Sequence, residues 1–235
     1  GVETPYNELG EIRTGLSDTM PPRTTLNLST PSYGTSILFV SSAASLILSA
    51  QDDAISRLDA IGNGVAQMFL SVDGSSFALS SGFVPLLAEG PHELRYYSVD
   101  RDGNAESTKT ARVVVDVSAP AAEVAFPAEG GWINGQSLDI RMTISDPELG
   151  QGIAGSGVAA SGLRLILDGL DVSSRAFFGP TGAVLSAASL APGPHVLEVM
   201  ATDRVGNASP PIVRRFGLDT GAPSVSISTP LAGTY

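Results

Sequence analysis

One stretch of this sequence occurs twice, and that repetition limits what the chain can fold into. The segment GPHELRYYSVDRDGNAE over 90–106 recurs as GPHVLEVMATDRVGNAS over 193–209. His92 and His195 lie 103 residues apart, and the surrounding residues keep the same offset. A repeat of this length corresponds to one small domain, so the chain is predicted to contain two copies of one unit.

A recurring boundary signal divides the chain. An aspartate precedes a proline by four residues at three places, which are Asp18 with Pro22, Asp116 with Pro120, and Asp219 with Pro223. Because each instance closes a unit, we expect whole repeats at 20–118 and 119–221. Residues 1–19 are then the last strand of an upstream repeat, and 222–235 the first strand of a downstream one. The chain is either a piece of a longer array or a subunit whose terminal strands pair with neighbours.

Short strands are predicted within each unit. In the second unit Leu138, Ile140, Met142 and Ile144 alternate with polar residues, as on a half-buried strand. The repeated stretch also alternates, so Leu94, Tyr96 and Ser98 in one copy, and Leu197, Val199 and Ala201 in the other, should face the core. About seven strands per unit, separated by turns rich in Gly and Pro, indicate an all-β protein of two tandem sandwiches.

Charge and composition exclude several classes of function. The net charge is −11, with 13 Lys plus Arg against 24 Asp plus Glu, so a nucleic-acid partner is not expected. Cysteine is absent, which excludes disulfides and thiolate chemistry. The most apolar stretch, 37–48, is interrupted by serines, so no membrane span is predicted.

The turn and boundary motifs together resemble the bacterial immunoglobulin-like repeats that stack in large surface and secreted proteins. The motifs are an Asp-Gly hairpin, Gly-x-His before a strand, Asp-x-x-Gly-Asn, and the closing Asp-x-x-x-Pro. The resemblance covers both whole units and both partial ends. It implies immunoglobulin-like sandwiches that serve as stalks, adhesin shafts or accessory modules, and in some arrays calcium stiffens the joints.

Calcium is the one ion for which the sequence offers ligands. In the first copy Asp100, Asp102 and Asn104, with Glu106 beyond them, place several hard oxygens in one loop. The second copy keeps Asp203 and Asn207 but has Val and Ser at the other two positions. The shared residues are those that a tight turn requires, so the alternatives are a calcium site or a turn alone.

The joints offer a second calcium candidate. The boundary residues Asp18, Asp116 and Asp219 are each candidates to meet an acidic loop, at Asp52-Asp53 or at 146–148. The alternative is that each aspartate only ends a strand before a proline-containing linker.

Three aromatic residues are candidates for contact with a ligand or partner. Trp132, the sole tryptophan, lies in a Gly-rich turn, where it is either a partly buried plug at a domain junction or a platform that stacks on sugars. Phe177 and Phe178 lie where the second unit has eight extra residues between its Asp-Gly turn and its histidine. That insertion is a candidate for a unit-specific contact.

No catalytic constellation is evident in the sequence. The two histidines occupy equivalent places in successive units, and no nucleophile motif accompanies either. The run Gly150-Gln-Gly152-Ile-Ala-Gly155 fits a dinucleotide fingerprint but is followed by glycines and a strand, not by a helix.

We therefore expect a non-enzymatic structural repeat module of an extracellular bacterial fibre, stalk or adhesin, which assembles through terminal strand exchange. Its partners would be neighbouring repeats or copies of itself. The alternative is an accessory module of a secreted protein that binds a cell-surface glycan or protein.

Overall fold

The computed structural model describes residues 18–52, 64–85, 87–135, 137–188 and 190–226. The predicted strand before residue 18, most of the predicted strand after residue 221, and Asp53 lie outside these ranges. The chain divides into two compact units, Gly1–Val117 with Leu149–Ile153, and Ser118–Glu148 with Ala154–Tyr235. No helix within the described ranges is long and apolar enough to cross a membrane.

Unit 1 is built from strands and turns. Its strands are β1 (Arg23–Leu28), β2 (Ser32–Tyr33), β3 (Leu38–Val40), β4 (Leu46–Gln51), β5 (Val65–Val72), β6 (Ala78–Ser80), β7 (Gly90–Asp100) and β8 (Lys109–Val115). One sheet has the order β2-β3-β8-β7-β5-β6, in which β3 and β8 are parallel. The other sheet pairs β1 with β4.

The second sheet of unit 1 is extended by a short segment beyond β4. The Leu48 N–H donates to the Gly82 carbonyl at 2.7 Å, and the Val84 N–H donates to the Leu46 carbonyl at 3.1 Å. A Cβ at Gly82 would lie 2.7 Å from the Leu48 carbonyl oxygen, so only glycine permits this close approach.

Unit 2 repeats this plan with longer strands. They are β9 (Ala121–Phe126), β10 (Gly131–Asn134), β11 (Ser137–Ser145), β12 (Val158–Leu167), β13 (Leu170–Asp171), β14 (Ala176–Gly179), β15 (Gly182–Ala188), β16 (Gly193–Asp203) and β17 (Ile212–Asp219). The sheets have the orders β14-β15-β11-β9 and β10-β17-β16-β12-β13. In the letters used for immunoglobulin folds these orders are D-E-B-A and A′-G-F-C-C′. The predicted all-β, immunoglobulin-like sandwich is confirmed.

The eight extra residues of unit 2 fall where the two units differ. They lie between Asp168 and His195, the stretch that forms a short 3-10 helix at Ser173–Arg175 and the strands β14 and β15. In unit 1 the equivalent sheet position is occupied by the short segment around Phe83, which forms an isolated bridge with Ile47. The second sheet of unit 2 therefore has four strands, whereas that of unit 1 has two.

Period-two alternation produces the core of each unit. Along β11 the four residues predicted to face inward are all buried, and every residue between them is exposed. In β7 and β16 the predicted inward residues are 7 % exposed or less. Each fully buried Leu, Ile or Val contributes roughly 1.5–3 kcal/mol relative to an exposed side chain, and this burial holds the two sheets together.

Candidate functional sites

Each histidine fastens its strand to the Asp-Gly hairpin that precedes it. In unit 1 His92 Nδ1 lies 2.7 Å from Asp73 Oδ2, and His92 Nε2 lies 2.8 Å from the Ala88 carbonyl oxygen. The other oxygen of Asp73 accepts the Glu93 N–H at 2.9 Å. Asp73 and Gly74 have φ of 50° and 75°, the left-handed conformation that this type of hairpin requires.

Unit 2 reproduces this arrangement. His195 Nδ1 lies 2.7 Å from Asp168 Oδ2, and Nε2 lies 2.8 Å from the Ala191 carbonyl oxygen. The Val196 N–H donates to Asp168 Oδ1 at 2.9 Å. The geometry is therefore the same although the intervening loop is longer.

In each unit this contact shifts the pKa of one of the two partners towards the charged form. Burial alone lowers the pKa of His195, but its hydrogen bonds to Asp168 and to the Ala191 carbonyl outweigh burial and raise that pKa. In unit 1 the hydrogen bond from His92 is the main cause that lowers the pKa of Asp73. Because both ring nitrogens face acceptors within the same unit, the two histidines hold the fold together and are not placed as general bases.

The sequence offered the Asp-Gly and Gly-x-His motifs only as separate turn signals. They recur together in both copies even though the number of residues between them differs by eight. That joint recurrence was the signal for a direct contact.

The Asp-x-x-Gly-Asn motif forms the same hydrogen-bonded turn in both units. Asp100 Oδ1 accepts the N–H groups of Asp102 and Asn104 at 2.9 and 2.8 Å, and Oδ2 accepts Asn104 Nδ2 at 2.8 Å. Burial raises the pKa of Asp100, but these hydrogen bonds outweigh burial and lower it. These hydrogen bonds are those that a tight turn requires.

Asp203 makes the equivalent turn in unit 2. It accepts the N–H groups of Val205 and Asn207 at 2.9 and 2.8 Å, and Asn207 Nδ2 at 2.7 Å. The third residue of the motif, Asp102 or Val205, contributes its backbone N–H to the turn but not its side chain. That is why Asp in the first copy and Val in the second are both tolerated.

Unit 1 also brings three of the predicted acidic residues together. Asp18, Asp52 and Asp100 are buried, and each offers a carboxylate oxygen within 4.8 Å of the other two. The cluster joins a boundary aspartate and an acidic loop, which the sequence offered as one candidate, to the turn, which it offered as another. Hard carboxylate oxygens suit calcium, and calcium binding here stays a prediction.

Backbone groups orient this cluster. Asp18 Oδ1 accepts the Met20 N–H at 3.0 Å, and Asp52 Oδ2 accepts the Gly64 N–H at 2.6 Å. Asn104 Nδ2 donates to the Asp18 carbonyl at 2.8 Å, and the Asp18 N–H donates to Asp102 Oδ2 at 3.1 Å. Asp102 and Asn104 therefore tie the boundary segment to the turn.

Two further predicted metal ligands lie at strand ends. Asp116 is buried at the end of β8, where its N–H donates to the Val40 carbonyl at 2.9 Å. Asp219 is exposed, and its Oδ1 accepts the Gly221 N–H at 2.9 Å. Asp219 thus ends its strand, as the alternative to a calcium role had it.

Glu106, which the sequence grouped with the calcium-type loop, has a different environment. Its carboxylate lies 2.6 Å from the Lys109 ammonium and accepts hydrogen bonds from Thr24 and Ser98. It is therefore part of a separate polar network.

Trp132 lies on the surface of unit 2. It is on the edge strand β10, opposite Gly217 of β17, and 65 % of its side chain is exposed. This exposure does not fit the partly buried plug, which was one of the two alternatives for this residue. A Cβ at Gly217 would lie 2.5 Å from the indole ring, so glycine leaves the ring room against the sheet. The nearby Glu129 accepts the Arg215 N–H at 3.0 Å.

The two phenylalanines of the insertion point in opposite directions from β14. Phe178 packs against the core of unit 2, whereas Phe177 is 75 % exposed. Successive side chains of a strand alternate between its faces, so only Phe177 is accessible to a partner.

No family model and no curated protein sequence matches this chain. Among solved structures, the fibronectin(III)-like modules of Clostridium thermocellum CbhA are similar, with 17% identity over 84% of this chain and 95% of that one, at a TM-score of 0.43. The three N-terminal domains of the bacteriophage RB49 outer capsid protein Hoc give 9% identity, 86% and 71% coverage, and a TM-score of 0.45. A third similar structure is the Bacteroides ovatus protein SGBP-B in complex with a mixed-linkage heptasaccharide. It has 15% identity over 83% of this chain and 48% of that one, at a TM-score of 0.25. The assignment of the fold rests on the strand orders given above.

Proposed function

We propose that the chain is a structural repeat module of an extracellular bacterial fibre, stalk or adhesin. One observation carries this proposal. The residue types with the greatest chemical versatility, the two histidines and their aspartates, make the same backbone-fixing contacts in both units. A unit whose repeated polar residues all serve its own strands and turns is suited to bear load or hold a spacing.

Neighbouring repeats or further copies of the chain are the proposed partners. The boundary signal that precedes each unit occurs a third time at Asp219–Pro223, so we expect the segment that follows to be the first strand of a further repeat. Val225 on this segment is 86 % exposed. A chain segment with an exposed apolar side chain is suited to pair as a strand with an open sheet edge, which is the basis of the proposed exchange.

Single-molecule pulling of the full chain between inert handles tests the mechanical role. We expect two separate unfolding events that each lengthen the chain by about 30 nm, since each unit holds roughly 100 residues. Handles without the chain are the control. Extension without resolvable force peaks would contradict the proposal.

Sedimentation at rising concentration tests the proposed strand exchange between copies of the chain. A monomer at every concentration would exclude this exchange.

A glycan-binding accessory module is the second candidate, and the exposed Trp132 is the observation that favours it. An indole ring held against Gly217 presents a preformed surface to a sugar ring, and Arg215 and Glu129 offer hydrogen bonds beside it. Because Trp132 is the sole tryptophan, its fluorescence reports the site directly.

Titration with a panel of neutral oligosaccharides tests this candidate. We expect a saturable change in Trp132 fluorescence that weakens in Gly217→Ser, whose Cβ displaces the ring, and persists in Phe177→Ala. Fluorescence that stays unchanged with every sugar would exclude glycan binding at Trp132.

A further inference from the structure

A buried polar network fixes the first strand of unit 1. Glu106, 7 % exposed, accepts the Thr24 N–H at 3.0 Å and the Ser98 N–H and hydroxyl at 3.0 Å each. The Thr24 hydroxyl also donates to this carboxylate and lies 2.8 Å from the Ser98 hydroxyl. The Lys109 ammonium lies 2.6 Å from Glu106 and donates to the Thr24 carbonyl at 2.6 Å. Thr24 of β1 is thus recognised through its N–H, its carbonyl and its hydroxyl.

Most residues of this network are shielded from water, and its carboxylate is charged. Thr24 is 1 % exposed and Ser98 is fully buried. Burial raises the pKa of Glu106, but its bonds to Lys109, Thr24 and Ser98 outweigh burial and lower that pKa. The carboxylate is therefore held charged, and a buried charge that loses a partner is strongly disfavoured.

Unit 2 has apolar or small residues at every equivalent position. Lys109, Ser98 and Glu106 correspond to Ile212, Ala201 and Ser209 by the offset of 103, and Thr24 corresponds to Ala122, two residues after the boundary proline. Ala201 is fully buried, and Ala122 and Ile212 pack against the core. The Ser209 hydroxyl accepts the Ala201 N–H at 2.9 Å. The same strand arrangement therefore forms without the network.

This internal comparison shows what the network adds. A buried ion pair is weak evidence for stability, because apolar residues of similar size often serve as well. Unit 2 demonstrates the apolar solution in the same chain. In unit 1, a first strand without the hydroxyl leaves the network incomplete.

We propose that the Glu106 network makes the first-strand position of unit 1 selective for a strand with a hydroxyl at the Thr24 position. The first strands of the other repeats carry Ala122 and Val225 there, so unit 1 rejects them. Tandem repeats of one fold hold interchangeable strands at high local concentration, and strand misassembly is their characteristic fault. The network prevents that fault during folding.

A disulfide trap measures this strand choice, because the full chain has no cysteine of its own. Ser49 faces Thr25 in the β1–β4 pair, and Glu123 is the β9 residue equivalent to Thr25; all three are exposed. In Ser49→Cys/Glu123→Cys, a 49–123 disulfide forms where β9 occupies the place of β1. The full chain is refolded from denaturant in a thiol–disulfide buffer, and the linked peptides are quantified by mass spectrometry.

The network should keep the 49–123 disulfide at a low level. Replacement of the network by the residues of unit 2, through Thr24→Ala, Ser98→Ala, Glu106→Ser and Lys109→Ile, should raise it about tenfold, which corresponds to ~1.4 kcal/mol of strand discrimination. Ala122→Thr with the network intact should also raise it, because β9 then carries the selected hydroxyl. Equal yields in all three backgrounds would overturn the proposal.

Matched controls separate selectivity from a loss of folding. The pair Thr25→Cys/Ser49→Cys reports the native strand and should link efficiently in both backgrounds. Where the fourfold variant does not form this native link, Ala122→Thr alone decides, and an unchanged 49–123 yield in that variant overturns the proposal. The trap reports strand choice only, so its outcome is independent of the pulling experiment.

Discussion

At the scale of single residues, the His–Asp pairs show how one side chain fixes two turns. His195 is 7 % exposed and joins Asp168 of the hairpin to the carbonyl of Ala191. Since its pKa is raised in the fold, it contributes stability that is fully present below the unfolded pKa of about 6.5. That contribution is lost as the pH rises through the raised folded pKa.

Asp168→Asn tests this contribution. We expect the free energy of unfolding of unit 2 to fall by about 1–3 kcal/mol at pH 5.5, because a charge-assisted hydrogen bond is lost. The difference from the wild type should shrink as the pH rises through the folded pKa of His195, because the imidazole then loses its charge. Urea denaturation followed by Trp132 fluorescence measures it, since Trp132 lies in unit 2. Glu198→Gln on the same strand is the control, and a pH-independent loss would contradict the assignment.

In unit 1 the direction of the pH dependence of stability follows from Asp73. The pKa of Asp73 is lowered, so its contribution is present above the unfolded pKa of about 3.9 and is lost as the pH falls through the folded value. The contact in unit 1 therefore weakens at the acid end of the pH range.

At the scale of elements, loops and strand ends bring together acidic residues that are far apart in the sequence. Asp18, Asp52 and Asp100 come from three segments and place buried carboxylates within 4.8 Å of one another. Like charges at this distance repel, and a divalent cation would relieve that repulsion.

Calcium removal tests the cluster. We expect calcium in large excess over its Kd to raise the thermal midpoint of unit 1 by about 5 °C or more, because binding to the folded state alone adds stability. Asp52→Asn should abolish the rise, whereas Asp219→Asn, at the exposed strand end, should retain it. Calorimetry of the full chain with calcium or with chelator measures the effect, and identical midpoints would exclude the site.

The elements also show where sequence patterns are sufficient. Alternation placed the core faces of β7, β11 and β16 correctly, because successive strand residues point to opposite sides. The Asp-Gly pairs likewise marked both hairpins, because those turns need positive φ. The sequence could not decide between the two alternatives for Trp132, because a turn aromatic is buried or exposed according to what packs over it.

At the scale of the whole molecule, one fold occurs twice with different internal chemistry. Both units keep the His–Asp contact and the Asp–Asn turn. They differ in the Glu106 network, which only unit 1 has, and in the number of strands in the second sheet. The shared features define the fold, and the differences make the two units chemically distinct modules.

The sequence by itself determined the repeat, the sandwich class, the turns and the inward faces, because these depend on short-range periodicity and on local backbone preferences. Tertiary structure alone decided which distant groups meet. Thr24 and Glu106 are 82 residues apart, and Asn104 and Asp18 are 86 apart, so their contacts depend on strand register and on how the two sheets pack. Comparison of the two copies held a trace of the first contact, since four polar residues change together, but only the folded chain shows that they touch.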